Sequence, residues 1–458
     1  MMTRRFAVRC SLALVVGATA CHRPVSAPPP PPTRPSNVVV VLVDTLRADH
    51  MSTFGYERTT TPFIDRMAAS GIVFERARSQ ASCTFPSVNS IFTSRYPGPF
   101  LRQGPGEMGI PEHMPTIAEI LRDAGYSTAA VSASHIVRAT PSDYNPNGGF
   151  DRGFDTFIEG CVWLHGSCLN NKVFEQLDGI EEPFFLYIHY MEPHSPYQPP
   201  ERFRRRFALD YDGFDFVREG DPNPIAAMLY GDGPRIEIGE RDLQHLVDLY
   251  DDEILTFDGV FQRLVARLDE QGLLDRTLLV LASDHGEEFL EHGHMMHCRG
   301  IWSTLSHVPL IFWLPGSDDG RRVGAAVENL DIVPTILDYL GIPADGHGFE
   351  GESLRPLIEG RESQERYAFA DQGKYRSVDD GRFHLIFDGA EKTATLFETG
   401  NDPLEQHDLF APDHPAAVAL TAALNDWLAA TGQALRFDEA LAAARAKEEE
   451  LRALGYLQ

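Results

Sequence analysis

Five short apolar runs mark out the chain: NVVVVLV (37–43), STAAVSA (127–133), FFLYIHY (184–190), TLLVLAS (277–283) and VPLIFWL (308–314). They are continuous, not alternating, which is the pattern of strands buried on both faces of a parallel sheet. Helical spacing fills the stretches between them. TPFIDRMAASG opens on Thr61-Pro62 and stops at Gly71, a start signal and an end signal. MPTIAEILRDAG repeats that grammar with Ile117, Ile120 and Leu121 on one stripe. The longest pattern covers 242–271, where Leu249, Ile254, Phe257, Phe261, Leu264, Val265 and Leu268 recur at helical intervals. Strands alternating with helices predict an α/β sandwich, a central mostly parallel sheet with helices on both faces.

The pattern changes after about residue 345. YAFADQ, YRSVDDG, FHLIFDG and TATLFET are short alternating runs broken by Gly and Asp, an antiparallel meander. HPAAVALTAALNDWLAATG reads as one amphipathic helix, and the tail from Phe437 is helical by composition. The expected organisation is a main domain over 37–345 and a smaller C-terminal α+β subdomain with a helical tail over 346–458. Two segments precede them. Residues 1–21 combine a basic stretch, a short apolar stretch and small residues before Cys21, as in an export signal. Cleavage before an acylated Cys21 is favoured over ordinary cleavage after Ala18-Thr19-Ala20, because a proline-rich tether follows at 22–36 and suits an anchored protein. The expected location is therefore the periplasm or cell envelope, with a lipid anchor at Cys21.

A net charge of -27 argues against a nucleic-acid partner, which needs a basic face. It does not exclude an anionic substrate, since a bound cation reverses the local field. Export permits disulfides among Cys83, Cys161, Cys168 and Cys298. Cys161 and Cys168 either close a small loop or remain thiols.

Ligands of open parallel sheets bind beyond the carboxyl ends of the strands. Asp44 follows the first run, His135 the second, His194 the third and Asp284-His285 the fourth. An aspartate after a strand is commonly only a turn residue, but four such ends deliver metal-ligand residue types to one edge. Asp44, Asp284 and His285 form an oxygen and nitrogen set that suits a divalent cation. Zinc or manganese fits, and calcium fits less well because imidazole is a poor calcium ligand. His292, His294 and His297 follow in DHGEEFLEHGHMMHCR, a loop suited to substrate contacts or a second metal.

The stretches VLVDTLRADHMSTFGYERTTTPFIDRMAASGIVFERA, PSVNSIFTSRYPG, FLYIHYMEPHSPYQPP and LVLASDHGEEF together resemble the sulfatase family of the alkaline-phosphatase superfamily, from about residue 37 to about 345. ATLFETGNDPLEQHDL resembles its C-terminal subdomain. The resemblance implies an alkaline-phosphatase-like sandwich, a divalent metal, a nucleophile near a helix start, and a small-molecule, glycan or lipid-headgroup ester of sulfate or phosphate as substrate. Type I sulfatases carry C-x-P-S-R, whose cysteine becomes formylglycine. Aligned on Pro86-Ser87, that position is Thr84; Cys83 lies one residue earlier, and Val88 replaces the arginine. Threonine there is similar to the phosphodiesterases and phosphoethanolamine transferases of the superfamily. Thr84 is then both nucleophile and metal ligand. Cys83 is expected to be a buried small apolar residue.

The family's second aspartate is Thr45 here, its lysine in GKWH is Ala133 with His135 retained, and the lysine before its RVPL strand is His297, with Arg299 beside it. By resemblance, His194 and His297 are the catalytic histidines, and His135, Arg47 and Arg299 contact substrate. For Arg47 the alternative is a structural ion pair. The expected function is hydrolysis of sulfate or phosphate esters. Phosphodiester or phosphoryl-transfer chemistry, or a non-catalytic tethered binding role, stands beside it.

Overall fold

The computed structural model describes residues 35–101, 109–161, 165–203, 206–208, 211–214, 238–317, 320–361 and 366–432. The export signal, nearly all of the tether, parts of the basic stretch RFRRRF and the C-terminal tail lie outside the described residues.

Eight strands form the central sheet: β1 (Asn37–Val43), β2 (Ile72–Arg78), β3 (Ser127–Ser132), β4 (Thr156–Glu159), β5 (Phe184–Tyr190), β6 (Thr277–Ser283), β9 (His307–Trp313) and β10 (Arg321–Glu328). Two-residue strands β7 (Glu288–Phe289) and β8 (Met295–Met296) make a separate small ribbon. The order is β10-β2-β9-β6-β1-β5-β3-β4. All pairings are parallel except those of β9, which runs antiparallel to both β2 and β6. The run at 308–314 was expected to lie parallel with the rest. Its apolar composition shows burial and carries no direction, and its carboxyl end points away from the edge that bears the chemistry.

The continuous apolar runs are explained by two cores, one on each face. Val39, Val41 and Val43 pack with Leu249, Ile254, Phe257 and Phe261 of the long helix Glu240–Glu270. Val38, Val40 and Leu42 face the other way, against Val88, Ile91 and Phe92 and the helix Ile332–Leu340. Each fully buried valine, leucine or phenylalanine contributes about 1.5–3 kcal/mol. Strand β2 was not foreseen, because Glu75 and Arg76 interrupt its apolar run. Edge strand β10 was missed for a similar reason, with Arg321 and Arg322 exposed at its start.

The meander appears as antiparallel β11 (Ala368–Gln372), β12 (Tyr375–Asp379), β13 (Phe383–Asp388) and β14 (Thr393–Glu398). The helix Pro415–Ala430 covers it through Leu420, Leu424 and Trp427, whose ring stacks on Phe369 at 5.2 Å. This small sheet is tied to the large one by the buried pair Arg78–Asp379 at 2.5 Å and by a hydrogen bond that the Asp371 backbone amide donates to the Gln80 carbonyl.

Candidate active site

Registered parallel strands place the first two acids side by side. Val43 pairs with Ser283 across β1 and β6, so Asp44 and Asp284 follow at the same level of the sheet edge. Both are buried. The Thr45 amide donates to Asp284 Oδ1 at 3.2 Å, whereas Asp44 Oδ1 and Asp284 Oδ2 have no hydrogen-bond partner. Orphaned buried carboxylate oxygens are costly unless something positive meets them.

A third group joins from inside β5. Its side chains alternate: Phe184, Leu186, Ile188 and Tyr190 enter one core, while Phe185, Tyr187 and His189 point to the opposite face. His189 lies in register with Leu42, and its Nε2 comes within 3.2 Å of Asp44 Oδ2. Its Nδ1 meets the Tyr187 hydroxyl at 2.8 Å. Ligand atoms of Asp44, His189 and Asp284 all lie within 4.8 Å of one another. His285 completes the cluster, with Nε2 at 3.8 Å from Asp44 Oδ1 and 3.5 Å from Asp284 Oδ2. His285 Nδ1 donates to the Gly286 carbonyl, a partner that only accepts, so Nε2 carries the lone pair toward the acids.

Electrostatics support cation binding. Burial lifts the Asp44 carboxyl to about 7, with Glu287 adding to the rise and His297 and Thr84 opposing it. Asp284 is raised further by burial and by Asp44. Burial depresses His189 to about 4 and His285 well below the usual histidine range, which keeps both rings neutral. Two acids that resist ionisation and two neutral imidazoles form a donor set that a dication satisfies.

Thr84 opens the helix Thr84–Thr93, which is buried along its whole length, with Cys83 as the N-cap residue. Ser87 anchors the first turn by donating to the Asp284 carbonyl at 2.6 Å. Thr84 Oγ1 thereby sits 3.2 Å from His285 Nε2. Four imidazoles form a row beyond it. His285 lies 4.6 Å from His297, His297 lies 5.1 Å from His194, and His194 lies 5.8 Å from His135, measured between ring centres. Burial pushes His194 well below the usual range and His135 to about 4. His297 departs upward. Burial alone would lower it, but Glu287, assisted by Asp44 and Asp284, overcomes that cost. The buried Glu287 receives a hydrogen bond from His297 Nδ1 at 2.9 Å and another from the Tyr197 hydroxyl at 2.9 Å.

The structure thus brings together Asp44, Thr84, Asp284, His285, His297, His194 and His135. Arg47 stands elsewhere: it is buried, pairs with Asp49 and Glu291, and donates to the Glu287 carbonyl. Its expected substrate contact gives way to the ion-pair alternative, because these acids already occupy the guanidinium. Arg299 is exposed and follows the histidine row in sequence. Cys83 is not a buried apolar thiol. It is bonded to Cys298, and Cys161 is bonded to Cys168. His189 and Glu287 escaped the sequence reading. The one histidine within an otherwise apolar strand was the signal for the first, and a glutamate two positions after Asp284-His285 was a weak signal for the second.

Comparison with known proteins identifies the family and the fold. The sulfatase family model matches residues 36–342. An arylsulfatase from Hemicentrotus pulcherrimus is 26% identical over 71% of this chain, and the chain spans 62% of that protein. The solved phosphonate monoester hydrolase of Agrobacterium radiobacter superposes with a TM-score of 0.70 at 22% identity, covering 87% of this chain and 96% of its own. An enzyme solved with its substrate D-glucosamine-2-N,6-O-disulfate gives a TM-score of 0.70 at 17% identity, covering 88% and 98%. At these identities the two structures establish a shared fold.

Proposed function

The chain belongs to the sulfatase family of hydrolases in the alkaline-phosphatase superfamily, and from that premise we propose that it hydrolyses sulfate or phosphonate-type esters with Thr84 as nucleophile. The observation that carries this reading is the Thr84 hydroxyl, at the first position of a buried helix, 3.2 Å from His285 Nε2 beside two buried acids. Asp44, Asp284 and His285, together with His189, would hold a dication, which neutralises ester charge and favours the ionised hydroxyl.

The chain's own groups do the rest. The helix start presents amides to an anionic ester. Thr84 releases its proton to water, and Oγ1 forms the bond to sulfur or phosphorus as the ester oxygen departs. His297, whose hold on a proton Glu287 strengthens against the cost of burial, donates the proton that the departing oxygen needs, and His194 and His135, both shifted down by burial, line the approach. Water then cleaves the threonine ester. Pairing of Cys83 with Cys298 leaves no thiol there for conversion to formylglycine, which supports threonine as the reacting group.

A panel of aryl sulfate, phosphonate monoester, aryl phosphate and bis-aryl phosphate, run on wild type and Thr84→Ala with defined metals, tests the reading. Turnover by Thr84→Ala at the wild-type rate would end it. Export and anchoring at Cys21 complete the proposal. The basic and apolar leader supports them, as do two disulfides that suit an oxidising compartment. A Cys21→Ser variant that stays in the membrane fraction would count against the anchor.

A further inference from the structure

The two catalytic candidates are separated by more than two hundred residues, yet each has a bridged cysteine as its immediate chain neighbour. Cys83 precedes Thr84, Cys298 follows His297, and the bond between them spans a sequence separation of 215. Besides the bridge, His297 is held through its ring, by the hydrogen bond of Nδ1 to Glu287 and by contacts with His285 and His194, while its backbone is held more lightly. It leaves the two-residue strand β8, which among the described residues pairs only with the equally short β7. The residues on both sides of it, Met296 and Cys298, have φ values of 68° and 72°. Left-handed backbone is unfavourable for such side chains and persists only where the surroundings impose it. The surroundings here centre on the bridge. The Cys298 amide donates to the Ser82 carbonyl at 2.9 Å, and the Ser82 hydroxyl donates to the Gly300 carbonyl at 2.7 Å. Gln372 reaches in from β11 to donate to Cys83 Sγ at 3.2 Å.

We propose that the Cys83–Cys298 disulfide is a positioning device, which clamps the His297 segment onto the start of the Thr84 helix and so makes turnover depend on its oxidation. The proposal rests on the functional reading above. The bond is accessible enough to be switched, since Cys298 is exposed and Cys83 half-buried. When a dithiol reduces it, two electrons and two protons convert the bridge to two thiols while the reagent closes to its own cyclic disulfide. The segment 296–298 is then free to leave its left-handed conformation, and His297 loses its alignment with Thr84.

The experiment compares the full chain, metal-loaded, before and after dithiothreitol, with thiols counted to establish complete reduction. Kinetics are read on the best substrate of the ester panel, at a temperature well below unfolding, alongside metal content and deuterium uptake. The expected result is a kcat lower by roughly tenfold or more, with KM and metal content little changed, faster exchange confined to residues 290–300, and recovery on reoxidation. A Cys161→Ser/Cys168→Ser variant should keep this sensitivity, and Cys83→Ser or Cys298→Ser should start slow and ignore the reagent. A bridge with only a structural role would lower the melting temperature and leave kcat and the exchange of 290–300 unchanged, and that result overturns the proposal. An oxidised, metal-loaded protein inactive on every ester of the panel overturns the functional reading itself, and the clamp falls with it.

Discussion

Thr84 Oγ1 and His285 Nε2 stand 3.2 Å apart although 201 residues separate them in sequence. The helix Thr84–Thr93 supplies one and the carboxyl end of β6 the other, and the Ser87 hydroxyl on the Asp284 carbonyl fixes their spacing. Removing the Thr84 hydroxyl takes away the reacting atom and leaves the acids in place. Thr84→Ala should therefore lose roughly three or more orders of magnitude in kcat while its metal content stays at the wild-type level. Thr84→Ser should recover part of the rate. Kinetics combined with elemental analysis checks both: a metal-free Thr84→Ala protein would make Thr84 a required metal ligand, and a fully active one would leave it a purely structural threonine.

Residues that announce themselves at strand ends are legible in the sequence. Asp44 and Asp284-His285 follow uninterrupted apolar runs, and the sheet register then makes them neighbours. His189 was hidden for a physical reason. A strand buried on both faces reads as continuously apolar, so a ligand aimed from its interior resembles one more core position. Glu287 was hidden because its role depends on a partner ten residues away across a hairpin. The reversed direction of β9 and the disulfide partner of Cys83 are likewise set by long-range topology. Composition marks which residues are buried or reactive, but not which distant segment they meet.

His189 should prove to be part of the cation site. It is the only imidazole described within hydrogen-bond distance of Asp44 Oδ2, and the Tyr187 hydroxyl holds its other nitrogen. His189→Ala should weaken metal affinity by at least about 10- to 100-fold, and Tyr187→Phe by a smaller factor through the lost orientation of the ring. Competition with a chromogenic chelator measures both. Unchanged affinity in His189→Ala would assign the ring to the protein core alone.

Glu287 should control the alkaline side of the rate profile. It lifts His297 above the usual histidine range against the cost of burial. If His297 acts as the acid, activity is present while it is protonated and is lost as pH rises through its pKa. Glu287→Gln removes the negative charge, lowers that pKa, and should move the alkaline limb to lower pH, with kcat at neutral pH reduced roughly tenfold or more. A profile of kcat against pH checks the direction. A limb that moves upward, or stays in place, would separate Glu287 from the acid.

Metal-free protein should lose stability as pH rises across the neutral region. Asp44 holds its proton up to about 7 in the fold, against 3.8 for an ordinary aspartate. Between those values the folded state binds more protons than the unfolded state, and linkage then makes unfolding easier with rising pH. The contribution is fully present below about 4 and lost through about 7, with an upper bound of roughly 4 kcal/mol from the size of the shift. Asp284, shifted in the same direction, adds to the trend. A dication removes it by making the ionised carboxylates favourable, and the stabilisation should grow with metal concentration. Melting curves from pH 4 to 8, with and without chelator, should therefore diverge at the alkaline end, and Asp44→Asn should flatten the chelated curve. Parallel curves across that range would mean that the two acids are compensated by the protein itself and that no cation belongs between them.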